Sequence, residues 1–203
     1  MNGADEDSRE TAFSRIFRDN AWGSDESRSG LGSTLHTTQR LRMLLPALLR
    51  GLNVRSMLDA PCGDFNWMRH VDLGDTRYVG CDIVGEIVLA NRAAHPDREF
   101  VKLDLVEDKL PPVDLIFSRD CLQHLPEPDI WRALRNFRRS GATWLFTSSH
   151  TVAEQSISPD AGGFGFLNLQ LAPFGLPLPL LIVPEEHYAS KAMALWKISD
   201  LPT

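Results

Sequence analysis

The sequence predicts an α/β fold: a doubly wound, mostly parallel sheet of seven strands with helices on both faces and an antiparallel strand near the C-terminus. Two observations predict it. Short apolar runs alternate with segments of helical period from residue 56 to residue 147, and such alternation with short connections implies right-handed crossovers between parallel strands. The runs also end alike. Leu58-Asp59, Cys81-Asp82, Leu103-Asp104 and Phe117-Ser118-Arg119-Asp120 each pass from apolar to polar residues, as strands do where their carboxyl ends face a ligand.

The elements follow in order. Residues 1–10 are polar and acidic, lack the charged start and apolar run of a signal peptide, and are expected to be disordered. Thr11 to Asn20 carries Phe13, Ile16 and Phe17 at helical spacing. Ala21 to Ser33 holds three glycines and four serines and reads as a loop. Thr34 to Leu52 is a predicted helix with Leu41, Leu44, Leu45, Leu48 and Leu49 on one side and Thr37 or Thr38 as its cap; Pro46 inside it predicts a kink or a break. Strands are predicted over 56–59, 78–82, 99–104, 113–118 and 143–147, and helices over 66–71, 85–95 and 127–140. Beyond His150 the pattern changes to a glycine-containing loop to Phe166 and a proline-rich stretch to Pro184. Two further strands, over 180–184 and 193–198, are expected to pair antiparallel at one side of the sheet.

The 203 residues suit one domain. Its parts would be N-terminal helices with a lid-like loop (11–52), a cofactor-binding core (53–150) and a substrate-side segment (151–203). The net charge of −6 without a basic block argues against a nucleic-acid partner. The longest apolar stretch, Leu176 to Pro184, contains three prolines and is too short to span a bilayer, so no membrane partner is expected. Cys62, Cys81 and Cys121 are too widely spaced for a zinc motif or a disulfide framework. They read as buried thiols, which implies no metal and a cytoplasmic location.

The strand ends carry the chemistry. Gly63 permits a positive φ or close approach of the backbone to a ligand. Asp82, 19 residues past Gly63, suits a carboxylate accepting two ribose hydroxyls. Asp104-Leu105 would set a carboxylate beside an adenine amine and an apolar side chain on its face. The alternative for either acid is a cap on the next helix. A dinucleotide would need a glycine-rich turn for its pyrophosphate, and Pro61 and Phe65 stand where G-x-G-x-x-G wants glycines. S-adenosylmethionine has no diphosphate and fits better. A nicotinamide-dependent oxidoreductase is the lesser alternative.

Asp59-Ala60-Pro61-Cys62-Gly63-Asp64-Phe65, Asp82, Leu103-Asp104-Leu105 and the Val113 to Leu125 segment together resemble the nucleotide-binding blocks of class I S-adenosylmethionine-dependent methyltransferases. In their D-x-G-x-G-x-G turn only the middle glycine, Gly63, survives here. The likeness is closer to a subgroup of undefined substrate. Its W-G-x-x-E-S-x-S-G-x-G-S motif matches Trp22-Gly23, Glu26-Ser27, Ser29-Gly30 and Gly32-Ser33, its L-D-A-P-C-G-D-F-N-W-M motif matches Leu58 to Met68, and its late segment matches Leu167-Asn168-Leu169, Pro173-Phe174 and Leu176 to Leu180. Before Asn168 the subgroup has an Arg-Pro pair where this chain has Gly165-Phe166, a point at which a substrate contact would be lost.

The resemblance implies cofactor contacts at Asp59, Ala60, Pro61, Gly63, Trp67, Asp82, Ile83, Asp104, Leu105, Arg119, Asp120, Trp22 and Ser33. Arg119 and Asp120 have a structural salt bridge as their alternative, and Trp22 and Trp67 a core position. Expected substrate contacts are Arg28, Asn168 and Phe174. His124 and His150 are the candidate general bases, since histidine titrates near neutrality; a structural role for either is the alternative. The acceptor would be a small molecule methylated on oxygen or nitrogen, with a carboxylate needing no base. A non-catalytic protein that keeps the fold for binding or assembly is the second reading, prompted by the altered glycine turn.

Overall fold

The computed structural model describes residues 8–185, 187, 188 and 190–202. Among these, seven strands form one sheet in the order β3-β2-β1-β4-β5-β7-β6: β1 Ser56–Asp59, β2 Arg77–Asp82, β3 Glu99–Lys102, β4 Leu115–Ser118, β5 Trp144–His150, β6 Leu181–Pro184 and β7 Lys191–Lys197. The first five are mutually parallel and β7 pairs antiparallel with both β5 and β6. The predicted fold class holds.

Two cores cover the two faces. On one, Ile130, Ala133, Leu134 and Phe137 of α4 (Glu127–Arg139) pack on Leu58, Val79, Ile116 and Leu145. On the other, Leu41, Leu45 and Leu49 of α2 (Gln39–Gly51) and Val88 of α3 (Gly85–Ala94) pack on Met57, Tyr78, Leu115 and Phe146. Each of the three α2 leucines is at most 2% exposed, a burial worth about 2 kcal/mol apiece.

Several expectations need correction. α1 spans Arg9–Asp19, capped by Ser8, whose Oγ accepts the Thr11 N–H at 3.2 Å. Residues 9 and 10 are therefore helical, and residues 1–7 lie outside the described residues. α2 begins at Gln39, and the Thr38 hydroxyl donates to the Thr34 carbonyl instead of capping it. Pro46 sits within α2 without ending it, and Leu44 is 43% exposed. The predicted 66–71 helix is a single 3-10 turn, Met68–His70. β4 starts two residues late because the Asp114 carboxylate accepts from the backbone N–H of Arg55 and Ser56 and from the Ser56 hydroxyl. β5 runs three residues further than its apolar run, since Ser148, Ser149 and His150 pair with β7. None of the described helices is long and apolar enough to cross a membrane.

Candidate functional site

The winding of the sheet reverses at β1, which has β2 on one side and β4 on the other. A crevice opens at such a switch point, beyond the carboxyl ends of the strands. Here it is a cavity floored by Asp59, Asp82, Asp104 and Arg119-Asp120 from four strand ends and roofed by Arg9, Phe13 and Phe17 of α1 and Trp22, Arg28 and Ser29 of the following loop.

The turn after β1 sets its shape. Gly63 has φ +53°, a conformation that favours glycine, and a Cβ there would lie 2.2 Å from the Ser29 Oγ, so a side chain would have to displace the Ser29 hydroxyl. Phe65 is also left-handed, at φ +56°. The turn thus keeps a glycine-like backbone where the D-x-G-x-G-x-G turn it resembles has its last glycine. The strain, about 1–2 kcal/mol, is offset by its buried ring, whose centroid is 5.1 Å from both Tyr78 and Phe100 and 5.0 Å from His95. The lid-like loop is tied to this turn by side chains. The Asp64 carboxylate accepts from the Ser27 hydroxyl at 2.9 Å and the Arg28 N–H at 2.7 Å. The Glu26 carboxylate accepts from the Leu35 N–H at 2.6 Å and the Asn66 amide at 2.8 Å.

The acids differ in electrostatic setting. Asp82 accepts from the Gly63 N–H at 3.1 Å and the Val84 N–H at 3.0 Å, yet burial pushes its carboxyl up to about 6. Burial pushes Asp59 up to about 7, against the opposing effect of the Tyr78 hydroxyl that donates to it at 2.7 Å. Asp104 is bound to Arg9 from Nε at 3.1 Å and Nη2 at 2.8 Å, while Arg9 Nη1 reaches Asp129 of α4 at 2.9 Å.

Arg119 and Asp120 belong to a balanced cluster of two cations and two anions. Arg119 donates to both oxygens of Glu185, at 2.8 and 2.9 Å, and approaches Asp120 at 3.1 Å. Lys191 reaches Asp120 at 2.6 Å and Glu185 at 2.8 Å. These cations hold the Asp120 carboxyl well below its ordinary range although it is partly buried. The salt bridge and the cavity wall are the same residues.

A second cavity adjoins the first and shares Trp22, Ser29 and Asp120 with it. His124 and His150 line this one, together with Phe164 and Phe166. Nδ1 of His124 is 2.6 Å from the Gly163 carbonyl oxygen, and burial moves both imidazoles below their ordinary pKa.

The first cavity thus brings together Asp59, Pro61, Gly63, Trp67, Asp82, Ile83, Asp104, Leu105, Arg119, Asp120, Trp22, Ser33 and Arg28. Three expected contacts lie elsewhere. Ala60 is wholly buried and lines neither cavity. Asn168 donates to the Val152 carbonyl at 2.9 Å, and its side-chain oxygen accepts the Gln170 N–H. Phe174 is 1% exposed, 5.3 Å from the Trp131 ring. Both build the late segment's own packing. The Gly165-Phe166 departure instead puts an aromatic ring on the second cavity. Arg9, Phe13 and Phe17 were missed as wall residues; the Ser8 cap signal could have placed Arg9 on a helix.

Residues 58–141, less than half of the chain, match the family model described as a methyltransferase domain. No curated protein sequence matches the chain. Among solved structures, the chain is similar to Burkholderia thailandensis 1,6-didemethyltoxoflavin-N1-methyltransferase, with 1,6-didemethyltoxoflavin and S-adenosylhomocysteine bound, at 14% identity and a TM-score of 0.64 over 97% of this chain and 92% of that one. It is similar to human N-acetylserotonin methyltransferase in complex with S-adenosylmethionine, at 14% identity and a TM-score of 0.65 over 93% of this chain and only 59% of that one. The N-methyltransferase NodS of Bradyrhizobium japonicum, with S-adenosylhomocysteine, aligns at 15% identity and a TM-score of 0.54 over 66% of this chain and 73% of that one. The chain has the Rossmann-like methyltransferase fold, and its residues 58–141 carry the methyltransferase-domain match.

Proposed function

We propose that this chain is an S-adenosylmethionine-dependent methyltransferase that methylates an oxygen or nitrogen of a small molecule. One observation carries the reading: four strand ends and the lid-like loop converge on one cavity, and a second cavity shares a wall with it. The residues fit the donor. Gly63 lines the cavity with bare backbone, Asp82 presents a buried carboxylate for ribose hydroxyls, and Asp104 with Leu105 forms a polar edge and an apolar wall for adenine. When bound, S-adenosylmethionine supplies an electrophilic methyl group on a sulfonium.

The chain's own residues would align and desolvate the reacting groups. Positioning of this kind supplies on the order of 7–11 kcal/mol, and closure by α1 and the Trp22 loop excludes water. His124 would take the acceptor's proton, a contribution of roughly 10²–10⁴-fold. The roles of Trp22, Trp67, Ser33, Ile83 and Pro61 would be to shape the donor site, with Arg28 at its mouth. The three free buried thiols favour a reducing compartment such as the cytoplasm, and the folded unit would be a single domain.

Calorimetric titration with S-adenosylhomocysteine tests the reading. Binding is expected, weakened at least tenfold by Asp82→Ala. A folded sample that binds nothing at millimolar ligand would end it; binding without turnover on any acceptor would favour the non-catalytic alternative.

A further inference from the structure

The second cavity has walls that describe what it binds. Trp22, His124, Phe164, His150 and Phe166 form an unbroken string of rings, with successive centroid distances of 5.2, 5.8, 5.9 and 5.4 Å. Phe164 and Phe166 leave 54% and 47% of their surface exposed, and contiguous exposed apolar surface at a concave site marks ligand binding. Their placement is built in. Between them the Gly165 N–H donates to the Gln123 carbonyl at 2.9 Å, and a Cβ on Gly165 would lie 2.4 Å from the Ser156 carbonyl oxygen.

The two histidines in this string hold their protons on opposite nitrogens. The Gly163 carbonyl can only accept, so His124 carries its proton on Nδ1, and Nε2 keeps a lone pair. At His150 the reverse holds. The buried Leu167 N–H, an obligatory donor, points at Nδ1 at 3.1 Å. The Leu167 carbonyl, 3.3 Å from the same nitrogen, already accepts the His150 backbone N–H at 2.7 Å. Nδ1 of His150 is therefore the acceptor, and Nε2 carries the hydrogen. Both rings line the cavity, one with a lone pair on Nε2 and the other with a hydrogen on it.

We propose that this cavity holds the methyl acceptor, and that the acceptor is a planar aromatic or heteroaromatic molecule with an ionisable ring hydroxyl and, on the same ring system, a carbonyl oxygen or ring nitrogen. The inference rests on the methyltransferase reading above. The ring stacks along Phe164 and Phe166, the hydroxyl faces Nε2 of His124, and the second atom accepts from Nε2–H of His150. As the new oxygen–carbon bond forms, the carbon–sulfur bond of the donor breaks and its electron pair stays on sulfur, which becomes a neutral thioether. The hydroxyl proton passes to His124 and then to solvent. A carboxylate acceptor would want a cation in place of a base, and the cations beside the cavity, Lys191 and Arg119, are both committed to Asp120 and Glu185.

The experiment titrates protein saturated with S-adenosylhomocysteine with isomeric hydroxyquinolines and hydroxyacetophenones, following heat and tryptophan fluorescence, with cyclohexanol and benzoate as comparisons. At least one ring hydroxyl is expected to bind ten times more tightly than either comparison. Asparagine at either histidine can keep the backbone bond at the Nδ1 position while removing Nε2. His150→Asn is expected to weaken that ligand about tenfold, the worth of one hydrogen bond at a buried site. His124→Asn is expected to remove the acid limb of the pH–rate profile and slow methylation by roughly 10²–10⁴-fold. Failure of S-adenosylhomocysteine to bind would overturn the methyltransferase reading itself. With that product bound, ring hydroxyls binding no better than cyclohexanol or benzoate would overturn the acceptor class. Unchanged affinity in folded His150→Asn, or an unchanged pH profile in His124→Asn, would overturn the assignment of the two nitrogens.

Discussion

Arg9 and Asp104 are joined by two hydrogen bonds, at 3.1 and 2.8 Å, across a gap of 95 residues in the chain. The contact fastens the first turn of α1 to the polar edge of the first cavity, and the third bond, to Asp129, extends the clamp to α4. Both partners are largely shielded from solvent, with side chains 18% and 19% exposed. Hydrogen bonds between ionised groups in such settings are worth about 1.5–3 kcal/mol. Arg9→Met is expected to weaken S-adenosylhomocysteine binding about tenfold, mainly by faster dissociation as α1 loosens. Stopped-flow displacement measures the rate, and an unchanged off-rate would remove α1 from the closure.

Phe65 combines a backbone suited to glycine with a side chain that the core requires. Phe65→Ala is expected to destabilise the fold by about 3–5 kcal/mol through lost packing, while keeping the strain of a left-handed residue. Phe65→Gly loses the same packing but relieves that strain, so it is expected to be the milder change by about 1 kcal/mol. This reverses the usual order of alanine and glycine. Denaturant unfolding of the two variants decides it.

The strand ends were legible because each passes from an apolar run to polar residues, a local pattern that the sequence carries without any tertiary contact. β5 was read short because Ser148, Ser149 and His150 are polar and owe their strand conformation to pairing with β7, a tertiary cause that local pattern does not carry. The loop from Trp22 to Ser33 was legible as more than a spacer, but its tie to Asp64 depends on side chains some 35 residues apart. Phe174 and Asn168 line neither cavity. Their motif reflects packing of the late segment on α4 and β5, and a motif does not say which of its residues touch a ligand.

Glu185 was invisible as a partner of Arg119, 66 residues away, although it decides how that guanidinium is held. Removing one member of a buried ion cluster leaves its partners uncompensated and costs about 3–5 kcal/mol. Glu185→Gln is therefore expected to lower stability by about that much and to disturb the Asp120 wall common to both cavities. Glu185→Gln combined with Lys191→Met restores the balance of charge and is expected to recover a substantial part of the loss. Chemical denaturation of the single and double variants tests this; additive losses would mean that the cluster is not coupled.

Asp59 gives the fold a stability that falls as pH rises. Its carboxyl is 3% exposed and titrates near 7 in the folded chain because burial disfavours the charged form, whereas an unfolded chain titrates it near 3.9. Between about pH 4 and 7 the native state therefore holds the extra proton, and unfolding becomes steadily easier as pH increases. The stabilisation is complete below about pH 4 and is lost above 7. Three pH units correspond to about 4 kcal/mol, and Asp82, near 6, adds in the same direction. Asp59→Asn keeps an acceptor for the Tyr78 hydroxyl while removing the titration. The variant is expected to be more stable than the parent at pH 8, by an amount that shrinks toward zero near pH 4. Because Asp59 also lines the cavity proposed for the donor, the same change is expected to weaken binding of the cationic S-adenosylmethionine more than that of neutral S-adenosylhomocysteine. Thermal unfolding at pH 4, 6 and 8 and paired titrations read both effects. A constant stability difference across that range would mean that Asp59 stays ionised in the fold.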